Sequence, residues 1–353
     1  MKFDFSHRSQ LRKRVLIRGV NWVGDTILTF PMVQSLKSIF PQSHLAVLIP
    51  RHLQDLWKTF PFVDEVIPFD KKGGLRSFWK DLPLSIFLKK KKFDIAFILP
   101  RSFHSAFQIY LARIPVRVGY LGQWRSGLLT HGVPEEQGLF RVHRVHYYQK
   151  LVSPLGDKGK VPPPHLSLRE EDRKWAEDWM RQFGFSDEDL LIGINPGATY
   201  GLAKCWFADR FGELGRRLSE KWNATVILFG KEHEKPMAKE VLQKIGQRGI
   251  DLTGQTDLLQ LASLLERCQL LVTNDTGTMH IASAVGTEVV ALFGPTDTVT
   301  TGPWGDGHVV IKKDVPCSPC LKRICPKDHQ CMKSITVEEV EEAVEAKLGK
   351  RKR

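Results

Sequence analysis

Residues 270–295, LLVTNDTGTMHIASAVGTEVVALFGP, constrain the fold of this chain more than any other stretch. Apolar runs at 270–272 and 289–293 flank a segment with helical character, which predicts a strand, a tight turn, a helix and a second strand. The turn, 274–278, supplies a helix-capping carboxylate, hydroxyls and a glycine at the carboxyl end of the first strand. Open α/β sheets bind ligands at that end, and helix N-termini attract anions. The stretch predicts a βαβ unit with an anion site, although an ordinary capped helix accounts for the turn equally well.

The alternation of strands and helices runs through the whole chain, once before and once after a proline-rich connector. The connector is Lys160–Leu168, KVPPPHLSL, whose three consecutive prolines cannot continue a helix and favour an extended chain. We therefore expect two α/β domains with mainly parallel sheets, residues 1–160 and residues 161–353. Strands are predicted at 14–18, 44–49, 65–69, 94–99 and 116–120 before the connector, and at 190–195, 224–229, 251–252, 270–272 and 289–293 after it.

Each half opens with a strand and a glycine-containing turn, which suggests two Rossmann-like domains facing across a cleft. In the first half the turn ends at Asp25, and a helix is expected from about Thr26 to Ile39. In the second half the turn is Pro196–Thr199. Neither turn matches the glycine-rich patterns GxGxxG or GxxxxGK[ST], which argues against a dehydrogenase and a P-loop NTPase.

The formal net charge of +13 comes from 52 basic and 39 acidic residues, and much of it lies at the chain ends, 1–14 and 347–353. Basic ends favour contact with an anionic membrane face or with nucleic acid, but no recognised nucleic-acid module stands out, so no nucleic-acid partner is expected. A further basic run, Lys89–Lys92, is interpreted as a solvated helix end.

No apolar run approaches the roughly 20 residues that cross a bilayer. The charged N-terminus lacks the apolar core of a secretory signal, so we expect a cytoplasmic protein.

Five motifs resemble, in order and spacing over most of residues 14–345, the ADP-heptose:lipopolysaccharide heptosyltransferases of glycosyltransferase family 9. They are Gly24-Asp25 with Pro31, Pro196-Gly197-Ala198-Thr199 with Lys204-Cys205-Trp206, Phe229-Gly230 with His233-Glu234, Asn274-Asp275-Thr276-Gly277 with His280, and Phe293-Gly294-Pro295-Thr296. The Pro-Gly-Ala sequence at 196–198 and the cysteine-rich segment near the C-terminus most resemble those of heptosyltransferase II. Heptosyltransferase I or a later heptosyltransferase of the family is the alternative, because loops outside the motifs set acceptor choice.

The resemblance implies a GT-B fold, in which the C-terminal domain holds the nucleotide sugar and the N-terminal domain holds the lipid-linked acceptor. It implies an inverting enzyme, peripheral at the cytoplasmic face of the inner membrane. Its expected partners are ADP-heptose and a lipid A–Kdo–heptose acceptor, and the group transferred to the lipopolysaccharide inner core is L-glycero-D-manno-heptose. No cofactor is required.

Two residues are expected to carry the chemistry. Asp25 lies beyond the first strand, where a carboxylate reaches a ligand and takes a proton from an attacking hydroxyl; the ordinary alternative is an N-cap for the helix at Thr26. The resemblance implies that Asp25 is the general base. Inverting transfer also needs a stabilised leaving group. The resemblance makes Lys204 the diphosphate ligand that neutralises the departing ADP, whereas an isolated lysine would be read as a surface residue.

The remaining site predictions come from these motifs, from Gly254-Gln255-Thr256-Asp257 and from the segment 117–125. Donor-binding residues are Thr199 at a phosphate, Glu234 at the ribose hydroxyls, Thr256 near the adenine, and Asp275, Thr276, Gly277 and His280 around the diphosphate. Glu232 is close enough in sequence to Glu234 to be its competitor. Arg117 and Arg125, in RVGYLGQWR, are predicted to bind acidic groups of the acceptor, because guanidinium groups match phosphate and carboxylate.

Four cysteines near the C-terminus are the feature that the resemblance leaves open. Cys317, Cys320, Cys325 and Cys331 form a C-x2-C-x4-C-x5-C pattern, which is compact enough for one structural zinc ion. The alternative is a proline-rich loop of reduced thiols, because a cytosolic protein rarely keeps stable disulfides. Two non-enzymatic functions also remain open at this point: a non-catalytic nucleotide-sugar sensor and a polyanion-binding protein.

Overall fold

The computed structural model describes residues 13–70, 82–135, 138, 141–156 and 161–351. It divides into two compact units, Met1–Ser167 and Leu168–Arg353, called unit 1 and unit 2 below. The division lies a few residues beyond the boundary expected after residue 160. The basic residues of 1–12, and those at 352–353, lie outside the described residues.

Unit 1 is built on one parallel sheet with strand order β3-β2-β1-β4-β5-β6. The described strands are Arg14–Arg18 (β1), His44–Pro50 (β2), Glu65–Phe69 (β3), Ile95–Ile98 (β4), Val116–Tyr120 (β5) and His131–Val133 (β6). The helices are Val23–Ile39 (α1), Gln54–Lys58 (α2), Leu82–Lys90 (α3), Phe103–Leu111 (α4) and Arg144–Gln149 (α5). In the central strand, Leu16 pairs with Ala46 of β2 on one side and Ala96 of β4 on the other.

Unit 2 repeats this plan with strand order β12-β11-β10-β7-β8-β9, again all parallel. Its strands are Leu191–Asn195 (β7), Thr225–Leu228 (β8), Gly249–Asp251 (β9), Leu270–Asn274 (β10), Glu288–Phe293 (β11) and Val309–Lys312 (β12). Its helices are Glu170–Gln182 (α6), Ala208–Trp222 (α7), Lys235–Ile245 (α8), Leu258–Arg267 (α9), Gly277–Ala284 (α10), Thr298–Thr301 (α11), Gln330–Lys333 (α12) and Val337–Arg351 (α13). Numbered within its own unit, each sheet has the order 3-2-1-4-5-6, which is that of a Rossmann domain.

The central strands form the core of each unit. Residues 15–17 of β1 and residues 270–272 of β10 are fully buried, as expected for strands with helices on both faces. Such strands are continuous apolar runs, and that is why the sequence located them. The α/β class with two Rossmann-like domains is thereby confirmed.

The sequence misplaced some details. The first helix begins at Val23 rather than Thr26, with Trp22 at its N-cap. Strands β6 and β12 were not anticipated, because a three-residue edge strand and a short run with lysine at its end give a weak apolar signal. Within the described ranges, none of the helices has both the length and the apolar content needed to cross a membrane.

Candidate active site

The order of strands in unit 2 determines where a ligand binds. The chain reverses direction across the sheet between β7 and β10, which are neighbours. In open α/β sheets the ligand crevice lies beyond the carboxyl ends of the strands at such a switch point. The loop after β7 carries Pro196, Gly197 and Lys204, and the loop after β10 carries Asp275 and Thr276. Two of the sequence motifs of unit 2 therefore meet at the switch point of its sheet.

Two buried asparagines, one at the end of each strand, hold these loops together. Nδ2 of Asn274 donates to the carbonyl oxygen of Pro196 at 2.7 Å, and its Oδ1 accepts from the backbone N–H of Trp206 at 2.9 Å. Oδ1 of Asn195 accepts from the hydroxyl of Thr276 at 3.1 Å. Sequence reasoning missed Asn195 as a site residue and treated Asn274 only as part of the turn. The available signal was an amide side chain ending an otherwise apolar strand, because a buried amide needs partners.

Lys204 and Asp275 form a largely buried ion pair at the switch point. Nζ of Lys204 lies 2.6 Å from Oδ2 of Asp275 and 3.3 Å from the Asp275 carbonyl oxygen. The two side chains are 12% and 6% exposed. An ammonium group has three N–H donors, so two are directed at Asp275 and one is left for a ligand. The ammonium group also lies 5.0 Å from the centre of the Tyr200 ring.

Asp275 does not cap the helix that follows it, contrary to the expectation from sequence. The N-cap of α10 is Thr276, whose side chain makes no capping hydrogen bond. The carboxylate of Asp275 turns to Lys204 instead. The first backbone N–H groups of a helix carry a partial positive charge, which suits an anionic group. Lys204, paired with Asp275, thus lies close in space to the partial positive charge at the start of α10.

Glu234 lies against the loop after β7. A Cβ atom on Gly197 would stand 2.1 Å from Oε1 of Glu234, so only glycine allows this approach. Oε2 of Glu234 accepts from the backbone N–H of Lys231 at 2.7 Å, which fixes the carboxylate. The sequence competitor, Glu232, pairs with Lys235 at 2.8 Å instead. Glu234 rather than Glu232 is therefore the acid beside the switch point.

Three other predicted donor residues lie on the same edge of the sheet of unit 2. Thr199 is exposed on the loop after β7. Thr256 is half-buried just before Asp257, the residue that caps α9. His280 is buried in α10, one turn beyond Thr276. Their roles stay predictions.

Asp25 is the predicted catalytic residue of unit 1. It lies in the first turn of α1, three positions after the N-cap, and so is not itself the cap. Its Oδ1 accepts a hydrogen bond from the hydroxyl of Tyr148 on α5 at 3.0 Å. Burial, with the negative charge of Asp25, raises the pKa of Tyr148 well above its usual value, so the phenol stays protonated. Tyr148 was missed from sequence because nothing local relates two residues so far apart in the chain.

Arg117 and Arg125 direct their guanidinium groups at backbone carbonyls of unit 1. Nε of Arg117 donates to Leu128 at 2.7 Å, and another of its nitrogens donates to Ile114 at 2.6 Å. Arg125 is fully buried and donates to the carbonyls of Tyr120 and Pro100. Burial lowers the pKa of Arg125 to about 10. These contacts stabilise loops, and the predicted role of both arginines in acceptor binding stays a prediction.

The four C-terminal cysteines line one cavity of about 120 Å³. All four are free thiols, and burial raises the pKa of Cys331, with the other three adding to the effect. Across the described ranges, no group of three or more His, Cys, Asp and Glu side chains is arranged to hold a metal ion. The zinc alternative therefore gains no support from the arrangement of the thiols.

The cysteine-rich segment supports the loop that carries Lys204. The backbone N–H of Ala203 donates to the carbonyl of Arg323 at 3.0 Å, and Nε2 of His329 donates to the carbonyl of Ala203 at 2.7 Å. The hydroxyl of Tyr200 donates to the carbonyl of Leu321 at 3.0 Å. The segment thus braces the stretch just before Lys204, a role that the cysteine pattern did not suggest.

Comparison with known proteins identifies the family. The model of glycosyltransferase family 9 (heptosyltransferase) matches residues 83–330. Lipopolysaccharide heptosyltransferase 2 of Escherichia coli K12 is 30% identical over 346 residues, which cover 95% of this chain and 98% of that protein. The chain belongs to glycosyltransferase family 9. It is a glycosyltransferase of the heptosyltransferase family, as the five motifs predicted.

Solved structures of the family share the whole fold. The ADP-heptose lipopolysaccharide heptosyltransferase II of E. coli superposes with a TM-score of 0.82 at 28% identity. The superposition covers 97% of this chain and 100% of that one. A glycosyltransferase family 9 protein of Veillonella parvula superposes with a TM-score of 0.84 at 26% identity, over 96% of this chain and 97% of that one. These relatives favour the interpretation as heptosyltransferase II over heptosyltransferase I. They also favour an enzyme over a non-catalytic nucleotide-sugar sensor or a polyanion-binding protein.

Proposed function

We propose that this family 9 enzyme transfers L-glycero-D-manno-heptose from ADP-heptose to the heptose of a lipid A–Kdo–heptose acceptor, with inversion. The observation that carries the proposal is the convergence of Lys204 and the N-terminus of α10 at the switch point of unit 2. A diphosphate leaving group needs positive charge and N–H donors, and this arrangement supplies both. The names of the relatives supply the heptose and the acceptor class.

Unit 2 holds the donor in this proposal. The third N–H of Lys204 and the first N–H groups of α10 bind the diphosphate and stabilise the charge that grows on ADP as the glycosidic bond breaks. Thr199, Thr276, Gly277 and His280 complete the phosphate side, with Asp275 orienting Lys204. Glu234 accepts from the ribose hydroxyls, as acids do in dinucleotide sites, and Thr256 lies near the adenine.

Unit 1 supplies the base and receives the acceptor. Asp25 takes the proton from the attacking hydroxyl of the acceptor heptose as the new bond forms on the face opposite to the departing ADP. Tyr148 donates to one carboxylate oxygen of Asp25 and so helps to orient the carboxylate. Inverting transfer requires one general base and one stabilised leaving group, and it needs no cofactor.

The proposal is tested by incubation with ADP-heptose and two defined acceptors, Kdo-lipid A with and without a first heptose, followed by mass analysis. We expect one added heptose only on the acceptor that already bears heptose, with release of one ADP. Addition to the acceptor without heptose would select heptosyltransferase I instead. Donor binding without any product on either acceptor would contradict the enzymatic proposal.

The membrane contact that we propose lies on α3 of unit 1. This helix buries Ser85 and Leu88, whereas Leu82, Ile86 and Phe87 are exposed. The hydroxyl of Ser85 donates to a carbonyl of the neighbouring α4, so the face of α3 that carries Ser85 and Leu88 packs against the rest of unit 1. An exposed apolar helix face is unusual unless it binds something.

The charges beside this face favour an anionic lipid surface. Lys89 and Lys90 form the last turn of α3, and Lys91 and Lys92 follow directly. Each lysine near an anionic leaflet contributes about 1 kcal/mol, and exposed apolar side chains add to the binding. The run is the exposed helix end expected from sequence, and we propose that it also contacts the cytoplasmic face of the inner membrane.

Sedimentation with vesicles tests this surface. Wild type is expected to pellet with phosphatidylglycerol-containing vesicles and much less with purely zwitterionic ones. The double variant Ile86→Ser, Phe87→Ser should stay in the supernatant while it retains activity on a deacylated acceptor. A matched control is Val299→Ser, which removes an exposed apolar side chain of unit 2. Equal pelleting of wild type and the double variant would contradict the assignment.

A further inference from the structure

The loop after β5 has an unusual backbone. Gly122, Gln123 and Trp124 are three consecutive residues with positive φ, at 105°, 50° and 59°. The left-handed region is unfavourable for side chains other than glycine, and bulky residues are rare there. Such strain persists only where the surrounding structure holds the residue in place, and it concentrates at functional sites.

Arg125 is the anchor that holds this loop. Its buried guanidinium donates to the carbonyl of Tyr120, the last residue of β5, at 2.8 Å and to the carbonyl of Pro100 after β4. Its backbone N–H donates to the carbonyl of Gly122 at 3.3 Å, which closes the turn. The buried guanidinium group of Arg125 thus holds the turn in one conformation.

The turn exposes an aromatic side chain to solvent. Trp124 is 97% exposed, the highest value among the large apolar side chains that the structure describes. Burial of a tryptophan is strongly favourable, so full exposure on a fixed turn indicates a binding role rather than loose packing. The arginine predicted to bind the acceptor therefore faces inward, and its neighbour in sequence faces outward.

The position of the turn relates it to Asp25. All strands of this sheet are parallel, so the loops after β1 and β5 leave the same edge. The two strands are separated only by β4, which places them about 10 Å apart. That distance is on the scale of one or two sugar rings.

We propose that Trp124 is a stacking platform for a sugar ring of the acceptor. The proposal rests on the function proposed above, since it assigns a contact to that acceptor. The C–H face of a pyranose is apolar and flat enough to pack on an indole ring, whereas its hydroxyls stay in water. The exposed neighbours of Trp124 are polar, Gln123 and Ser126, which suits a saccharide better than a lipid tail.

Direct binding tests the proposal without turnover. Affinity for a soluble, deacylated inner-core saccharide is measured by calorimetry for wild type, Trp124→Asn and Trp124→Phe. Asparagine tolerates the left-handed region, so the first variant removes the ring and keeps the turn. We expect affinity to fall at least about fivefold in Trp124→Asn and to be largely kept in Trp124→Phe. ADP affinity should not change in either variant.

A matched control is Phe183→Ala, which removes a half-exposed aromatic ring of unit 2 and should leave saccharide affinity unchanged. Equal saccharide affinity in wild type and Trp124→Asn would overturn the proposal, as would a parallel loss of ADP affinity. A loss confined to acceptor embedded in vesicles would assign Trp124 to the lipid surface and overturn it too. Failure of the proposed function is distinguishable, because it appears as absence of heptose transfer by wild type.

Discussion

Tyr148 donates a hydrogen bond to Asp25 across 3.0 Å, from a helix 123 residues further along the chain. Tyr148 is buried, and α1 and α5 pack against each other around this contact. A second link between the helices is the amide of Gln149, which donates to the hydroxyl of Ser35 at 2.8 Å. Asp25 is therefore held by two packed helices rather than by a loop, as the positioning of a general base requires.

The first prediction concerns pH. Burial raises the pKa of Tyr148 well above its usual value, so its hydroxyl remains a donor throughout the neutral range. That donor favours the charged form of the carboxylate it touches. In Tyr148→Phe the carboxylate loses this stabilisation and accepts protons more readily, so the acid limb of the kcat profile should move to higher pH. An acid limb that does not move would show that Tyr148 has only a packing role.

The second prediction concerns Asp25 itself. Asp25→Asn removes the proton acceptor but preserves shape, so ADP-heptose affinity should stay and kcat should fall by about 10²- to 10⁴-fold. Calorimetry measures the affinity for ADP-heptose, and steady-state kinetics measure kcat. Asp55→Asn, which alters an exposed carboxylate of unit 1 paired with Lys58, is the matched control. A kcat loss below about threefold would exclude Asp25 as the base.

The third prediction separates the two members of the Lys204–Asp275 pair. Lys204→Gln removes the charge that stabilises ADP, and kcat should fall by about 10²- to 10³-fold, as for other lost transition-state donors. Asp275→Asn keeps the ammonium group, so its kcat loss should be smaller. Melting temperatures of the ligand-free variants show the structural cost, because a buried charge left without its partner destabilises a protein. Equal kcat losses in both variants would contradict a direct role of Lys204.

The fourth prediction uses a glycine. A Cβ atom at Gly197 would meet the carboxylate of Glu234 at 2.1–2.7 Å. The obstacle is the end of a flexible side chain, so Gly197→Ala should fold normally but displace Glu234 and weaken ADP-heptose binding. The control is Gly127→Ala in unit 1, where a Cβ atom has no described atom within 4 Å. If Gly197→Ala binds the donor like wild type, Glu234 is not at the ribose.

The fifth prediction concerns the cysteines. The thiols share a cavity, but the described residues offer no arranged metal ligand set, so freshly purified protein should contain less than about a tenth of an equivalent of zinc. Elemental analysis measures it directly. One equivalent of zinc, retained through dialysis and lost in Cys317→Ser, would instead establish the structural site.

The sequence by itself determined the family, the fold class and the strands that carry the site. Buried parallel strands are continuous apolar runs, and the motifs after them must lie at the carboxyl edge of a sheet whatever the details of packing. The sequence alone therefore predicts that Pro196–Thr199 and Asn274–Gly277 belong to one ligand site.

Only the tertiary structure decided which way individual side chains turn. Asp275 pairs with Lys204 instead of capping α10, Arg125 is buried beneath an exposed Trp124, and Tyr148 reaches Asp25. Each outcome depends on a partner from another element, brought close by the packing of the chain. Local propensity and periodicity describe neighbours along the sequence, and they contain no information about which distant group will satisfy a charge or a hydrogen bond.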